Sequence, residues 1–266
     1  MLKITYNLSG RKYFTSTHNQ IISIEDWPAC LYMSLFRSNL LILKIAVSFA
    51  RSLAVYMVLC IATYLMLRIL LDYSAFRDDV GFLRFKQAYV GYTWWKAAFY
   101  VHVFSAIFAL LAAFTQFSSQ VLQDHRLLHR WVGRIYAYDI LVVNFPAGMV
   151  LACCANGLLP GRIAFVLLDT LWFAFTLLGV RAARRGQWTR HRAMMIRSYA
   201  LTFSAITLRT WKFILVRTTH IDPVHLYMID AWMGFVPNLL IAEWWIRSRV
   251  QRLFPMVSVQ SGRSSG

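Results

Sequence analysis

The chain has no Gly-rich phosphate loop, no nucleophile elbow and no HExxH pair, which removes the familiar nucleotide-binding, serine-hydrolase and zinc-protease readings. Charge is sparse: Asp, Glu, Lys and Arg make up 15% of the 266 residues. Cysteine is sparse too. Cys30, Cys60 and the vicinal Cys153 and Cys154 form no CxxC, and an adjacent pair rarely forms a disulfide or a metal site without strain, so the sequence predicts buried free thiols. Residues 1–26 lack a basic stretch leading into a short apolar run and a small-residue cleavage site. The expectation is therefore that no signal is removed and that the first membrane helix serves as its own address.

What is abundant is apolar surface. Hydrophobic residues are 59% of the chain and aromatics 16%, more than one soluble core of this length can hide, so lipid is the expected solvent for much of it. The fold class read from this is all-α, an integral membrane helical bundle of about six transmembrane helices. Residues 1–38 read as a cytosolic arm with an interfacial stretch at 27–36, 39–250 as the bundle, and 251–266 as a disordered Ser/Gly-rich tail. The spans fall near 46–71, 97–117, 131–153, 162–180, 193–216 and 225–246. Trp94 and Trp95 suit the headgroup level before the second span. Pro146 should be carried within the third, because the apolar run continues on both sides of it.

A net charge of +17 would suggest nucleic acid in a soluble protein. Here the basic residues sit at the edges of apolar runs, where they meet anionic headgroups, so no nucleic-acid partner is expected. Arg126, Arg130, Arg134, Arg181, Arg184, Arg185, Arg190 and Arg192 fall on one side of the membrane, against Arg162 and Arg217 in the short loops opposite. The positive-inside bias then puts both termini in the cytoplasm, in a multi-pass protein of the plasma membrane.

Inside lipid, polar and small residues mark the faces that helices turn toward one another. On the second span His102, Ala106, Ala109, Ala113 and Gln116 make one stripe. On the fifth, His191, Met195, Ser198, Thr202, Ala205, Arg209 and Lys212 make a more polar one. Arg209 needs a counter-charge, and Asp169 and Asp230 lie at comparable depth, so an Arg209–Asp169 or Arg209–Asp230 pair is expected. Asp139, Asn144, Asn238 and Glu243 fit either interhelical hydrogen bonding or a pathway.

His129 and His191 each open a helix at the cytosolic face, where two imidazoles could clamp a haem or a metal ion. His102 enters from the opposite side, where His220 and His225 are the other histidines. The competing readings are interfacial anchoring for His129 and His191 and a hydrogen-bonded core histidine at 102.

The blocks HRWVGRIY (129–136) and HRAMMIRSYALTFSAITLR (191–209), with His102 and Thr-Gln-Phe at 115–117, resemble an uncharacterised family of multi-spanning membrane proteins, domain of unknown function 2306. The resemblance covers about 100–235 and implies His102, Gln116, His129, Arg130, Gly133, Arg134, Tyr136, His191, Arg197 and Arg209 as motif positions. A looser similarity, in helix count and inward histidines, is to the cytochrome b561 and ferric reductase group. That group uses four helix-borne imidazoles for two haems, whereas the fourth span here has no histidine.

Three functions follow as expectations. The first is a b-type haem redox protein working with a membrane or redox partner protein, with His129 and His191 as axial ligands, Arg130, Arg134 and Arg192 at the propionates, and His102 with Gln116 lining a second site or a substrate path. The second is a small-molecule or proton-coupled transporter whose path runs from His191 to Arg209 with Asp169 or Asp230. The third is a non-catalytic membrane scaffold.

Overall fold

The computed structural model describes residues 3–6, 12–15, 21–23 and 27–253, with side chains from 35 to 248 other than 51, 119 and 120. Two units are distinguished, 1–58 and 59–266. In the first, strands β1 (Lys3–Tyr6), β2 (Lys12–Thr15) and β3 (Ile21–Ser23) form an antiparallel meander in the order β1-β2-β3. Its register sets Ile4, Phe14 and Ile22 opposite one another. The sequence reading placed a featureless arm here and missed these short β-branched and aromatic runs.

Helix α1 (Trp27–Tyr73) is one element of 47 residues. At 1.5 Å per residue it is about 70 Å long, more than twice the ~30 Å hydrocarbon core. The separate interfacial segment expected at 27–36 is instead continuous with the first span, because residues 37–46 contain neither Gly nor Pro to break it. The side chains of 27–34 and the tail from 254 lie outside the described residues.

The second unit contains helices and their connections, and no strand among its described residues. A 3₁₀ turn (Gly81–Lys86) leads into α2 (Gln87–Val90), then α3 (Thr93–Leu111), α4 (Ala113–Gln116) and α5 (Ser119–Asp124). Next come α6 (Arg126–Tyr138), a π-helical stretch (Asp139–Asn144) and α7 (Phe145–Cys153). The π stretch ends just before Pro146, and its wider winding lets the crossing run on past a residue that has no N–H to give. After Gly157, whose φ of +85° suits a residue without Cβ, come α8 (Leu158–Arg184), α9 (Trp188–Thr202), α10 (Ser204–Thr218), α11 (Pro223–Met233) and α12 (Val236–Leu253).

Among the described residues, five helical stretches are long and apolar enough to cross a membrane: Leu35–Tyr73, Thr93–Gln116, Arg126–Cys153, Leu158–Arg184 and Pro223–Ser248. The fifth span expected from the sequence is not among them. Its residues form α9 and α10, two 15-residue helices broken at Phe203, which carry Arg190, Arg192, Arg197, Arg209, Lys212 and Arg217. α9 packs against α8 and α12, and α10 against α11, so apolar neighbours shield part of what lipid would not accept.

One core gathers Ala109, Ala112, Tyr136, Ile140, Ala164, Trp172, Leu201, Ala231 and Phe235 between α3, α4, α6, α8, α9, α11 and the helix breaks. A second, under the 74–92 connection, stacks Trp95 on Phe99 at 5.7 Å with Tyr73, Leu83 and Val90. Trp95 is thus fully buried, and of the two tryptophans expected at the headgroups only Trp94 is exposed. The thiols also differ from expectation. Cys60 and Cys153 are free and exposed on helix surfaces, where a bilayer rather than protein would cover them, and Cys154 is half-buried.

Candidate functional site

Polar side chains form a lane through the second unit. At one end His129 on α6 and His191 on α9 are both half-buried and within electrostatic reach of each other. His191 Nδ1 lies 2.9 Å from the Gly179 carbonyl, so this nitrogen carries the hydrogen and Nε2 is left free. α8 and α9 approach so closely there that a Cβ on Gly179 would lie 2.7 Å from Met195 Sδ. His129 Nδ1 is buried with no hydrogen-bond partner. Gln116 closes this end by donating its amide to the His129 carbonyl at 3.0 Å, its other face against Gly133.

Next along the lane is a hub of hydroxyls. Tyr136 Oη bonds Ser198 Oγ at 2.7 Å and Thr202 Oγ1 at 3.0 Å; Ser198 Oγ also bonds Thr176 Oγ1 at 2.7 Å, and Trp172 Nε1 donates to Thr202 at 3.0 Å. Three helices are joined through five side chains, four of them hydroxyls that both donate and accept. Tyr136 lies within electrostatic reach of Asp139 at the start of the π stretch, and Asp139 sits beside Asn144 and Ser105. Asn144 Nδ2 donates to Ser105 Oγ at 2.9 Å, and its backbone faces His102. His102 is in turn within reach of Arg209, and Arg209 of Asp230.

Several buried polar atoms of these helices have no hydrogen-bond partner among the described residues: Asp139 Oδ2, Asn144 Oδ1, Asp230 Oδ1 and His102 Nδ1 along the lane, and Asp169 Oδ2 on α8. Such atoms are costly to leave unmade and point to water, a proton or a ligand.

The helix breaks fall beside the lane. The interruption at Phe203 and that at Gly234–Phe235 are tied to each other: Thr207 Oγ1 donates to the Gly234 carbonyl at 2.5 Å, and Asn238 Nδ2 to Thr207 Oγ1 at 2.9 Å and the Ala200 carbonyl at 3.2 Å. A Cβ on Gly234 would lie 3.0 Å from Leu208 Cβ.

The family described as predicted membrane protein (DUF2306) matches residues 99–246. The chain belongs to the DUF2306 family. The DUF2306 region takes in every residue of the lane, from His102 to Asp230, and leaves out α1 and the 74–92 connection. No curated protein and no solved structure matches the chain, so the looser likeness to cytochrome b561 gains no support from these comparisons.

Within this DUF2306 region, the expected Arg209 ion pair is not formed. Arg209 makes no ion pair among the described residues, and its Nη1 donates to the Ala205 carbonyl at 2.5 Å. Asp230 is near enough to act on it electrostatically, but Asp169 is turned toward α7, where a Cβ on Gly148 would lie 2.8 Å from its Oδ1. Among the described residues an ion pair does form between α9 and α12, Arg197–Glu243 at 2.6 Å, with Arg247 also on Glu243 at 3.0 Å. The α9–α10 stripe does not keep one face either. Ser198 and Thr202 are buried while Ala205 and Arg209 are exposed, because the break at Phe203 interrupts the helical register.

Arg130 and Arg192 are exposed, and Arg134 lies over the Trp131 ring at 5.3 Å. An outer His102–His225 pair is not assembled. His225 is exposed and bonds Asp222 at 3.3 Å, and the Asp222 carboxyl, held low by the Val224 N–H, caps α11. No group of three or more His, Cys, Asp or Glu suited to a metal ion occurs among the described residues. Two imidazoles are nevertheless the donor set of a b-type haem, and the free His191 Nε2 suits that role.

The sequence reading missed Lys86 entirely. It is buried in the 74–92 connection, donates to the Cys154 carbonyl and, at 2.7 Å, to Asn156 Oδ1, and faces the Phe82 and Tyr89 rings at 5.7 and 5.2 Å. Burial pushes its ammonium down to about 8.

Proposed function

We propose that this member of DUF2306 is a proton-coupled carrier of small molecules, with six crossings of the plasma membrane and both termini in the cytoplasm. One observation carries the reading: ionisable and hydroxyl side chains run from Thr176, Ser198 and Tyr136 past Asp139 and His102 to Arg209 and Asp230, and Asp139, Asp169 and Asp230 are buried carboxylates that each have an unpaired oxygen among the described residues. Buried carboxylates with an unpaired oxygen are suited to taking up and releasing protons, and hydroxyls such as those of Tyr136, Ser198, Thr202 and Thr176 pass them on. The two interrupted helices beside the lane fit the same reading, since discontinuous helices line the paths of many carriers. A sixth crossing by α9 and α10 returns the chain to its starting side, in keeping with the Arg bias of the loops.

The test is proton uptake by sealed liposomes containing the purified protein, under an imposed pH gradient and followed with an internal dye. Uptake above that of empty liposomes is expected, roughly tenfold lower in Asp139→Asn and largely retained in Asp139→Glu. Flux no greater than in empty liposomes, or unchanged in Asp139→Asn, refutes the reading.

A second reading is favoured by the His129–His191 geometry alone: a single b-type haem held by these imidazoles, which would supply one-electron chemistry. It requires a Soret band after haem supplementation that disappears in His191→Ala.

A further inference from the structure

The π stretch changes which residues share a face. Asp139 and Asn144 are five apart, which in an α-helix would set them about 140° from each other. Here the backbone bonds close five residues apart, as the Phe145 N–H does on the Ile140 carbonyl, so the two come one above the other. α3 packs on this stretch, and its Ser105 Oγ accepts a hydrogen from Asn144 Nδ2 at 2.9 Å. The Asp139 carboxyl lies beside both side chains.

The unpaired oxygens at this place are both acceptors. Asn144 is 0% exposed and Asp139 6%, and Asn144 Oδ1 and Asp139 Oδ2 are buried with no hydrogen-bond partner among the described residues. Two acceptors do not satisfy each other. Asp139 makes no ion pair among the described residues, although it lies inside a stretch able to cross the membrane. A carboxylate so placed calls for a positive charge beside it. Its single charge sets that of the ion, because a monovalent cation leaves the site neutral and a divalent one buries a net charge. The donors are hard oxygens, which suit a hard cation and not the transition metals that imidazoles take. His102, one turn before Ser105 on α3, borders the site, and its nitrogen offers such an ion little.

We infer that Asp139, Asn144 and Ser105 form a binding site for a monovalent metal cation, sodium in preference to potassium, where the π stretch meets α3. Asp139 Oδ2 supplies the charge, and Asn144 Oδ1 and Ser105 Oγ supply neutral oxygens, the amide held in place by its bond to Ser105. A carboxylate is a strong-field oxygen, and a strong field favours the smaller ion. The inference goes beyond the carrier reading and stands without it, although both use Asp139. A proton on Asp139 is the competing way to remove its charge, and the experiment separates the two.

The full chain is placed in phosphatidylcholine nanodiscs at a single pH, and its thermal midpoint is followed while sodium chloride or potassium chloride replaces choline chloride at constant ionic strength. Sodium should raise the midpoint, which climbs with the logarithm of its concentration once the site begins to fill. Potassium should need a several-fold higher concentration for the same rise. Ser105→Ala, which removes one neutral oxygen, should bind sodium several-fold more weakly, and Asp139→Asn should lose the response. Should Asp139→Asn not fold, the Ser105→Ala shift decides, together with radioactive sodium retained by the wild-type protein and displaced by unlabelled sodium but not by choline. The site is refuted if sodium and choline give the same midpoint, which leaves a proton to neutralise Asp139, if potassium acts at the same concentration as sodium, or if either variant responds like the wild type. Proton flux without a sodium response overturns this inference alone, and a sodium response without proton flux overturns the carrier reading alone.

Discussion

Replacing Lys86 by Met should change how stability depends on pH more than it changes stability itself. The depression of the ammonium from 10.5 to about 8 is a penalty of about 3 kcal/mol for keeping a buried charge. The sign follows from the proton count. Below pH 8 the folded and unfolded chains both hold the proton and the penalty is complete. Between 8 and 10.5 the unfolded chain keeps a proton that the folded chain has released, so folding gains about 1.4 kcal/mol per pH step. Against this, Lys86→Met leaves the Cys154 carbonyl and Asn156 Oδ1 without their donor, at about 1–3 kcal/mol. The two effects nearly offset near neutrality. In detergent micelles, the wild-type unfolding midpoint relative to Lys86→Met should climb by about 3–5 °C per pH step above 8. Maleimide labelling of the half-buried Cys154 thiol should be faster in the variant at every pH. Parallel pH profiles for the two proteins up to 10.5 would show that the ammonium is not desolvated and that the connection is not held by it.

Tyr136→Phe removes the centre of the hydroxyl hub and should cost about 1–2 kcal/mol in detergent unfolding, while slowing proton uptake if the carrier reading holds. Glu243→Gln leaves Arg197 without its charged partner at a half-exposed position, and about 1–2 kcal/mol of destabilisation is expected by the same measurement, reduced by added salt. Gly157→Ala must adopt a φ of +85° and bring a Cβ to 2.8 Å from Tyr227 Cδ1, so about 2 kcal/mol should be lost and the midpoint should fall. A wild-type midpoint in any of these three would count against the packing described.

The membrane class and five of the six helical stretches were legible because a long apolar run admits few alternatives in water. The second-span stripe was legible too: Ala109 and Ala113 are buried and Phe108 is exposed, as helical periodicity requires. The fifth-span stripe was half legible. Periodicity assumes an unbroken helix, and nothing in the run Leu201–Thr202–Phe203–Ser204 announces a break, since no Gly or Pro marks it. Arg209 was singled out correctly as a charge needing explanation, but residue counting gives depth without azimuth. Depth alone made Asp169 and Asp230 equivalent, whereas packing turned Asp169 toward Gly148. Arg197–Glu243 was open to the same counting from the opposite end of the bundle. Thr176 and Trp172, one turn apart on α8, were hidden inside a run whose hydropathy drowned them. Lys86 carried no signal, because a lysine in a loop is nearly always solvated.

The stitching of Phe203 to Gly234 has a mechanical corollary. A lone gap in a membrane helix exposes backbone groups that oil cannot solvate, so it resists being opened further. Here each gap lends its neighbour the missing partners through Thr207 and Asn238, and those side-chain bonds can survive a change of angle that main-chain bonds could not. α10 packs on α11, and α11 also packs on α8, so the braced pair is anchored to the helix that carries Trp172 and Thr176. Two neighbouring breaks are thus cross-braced, each closing backbone groups that the other leaves open.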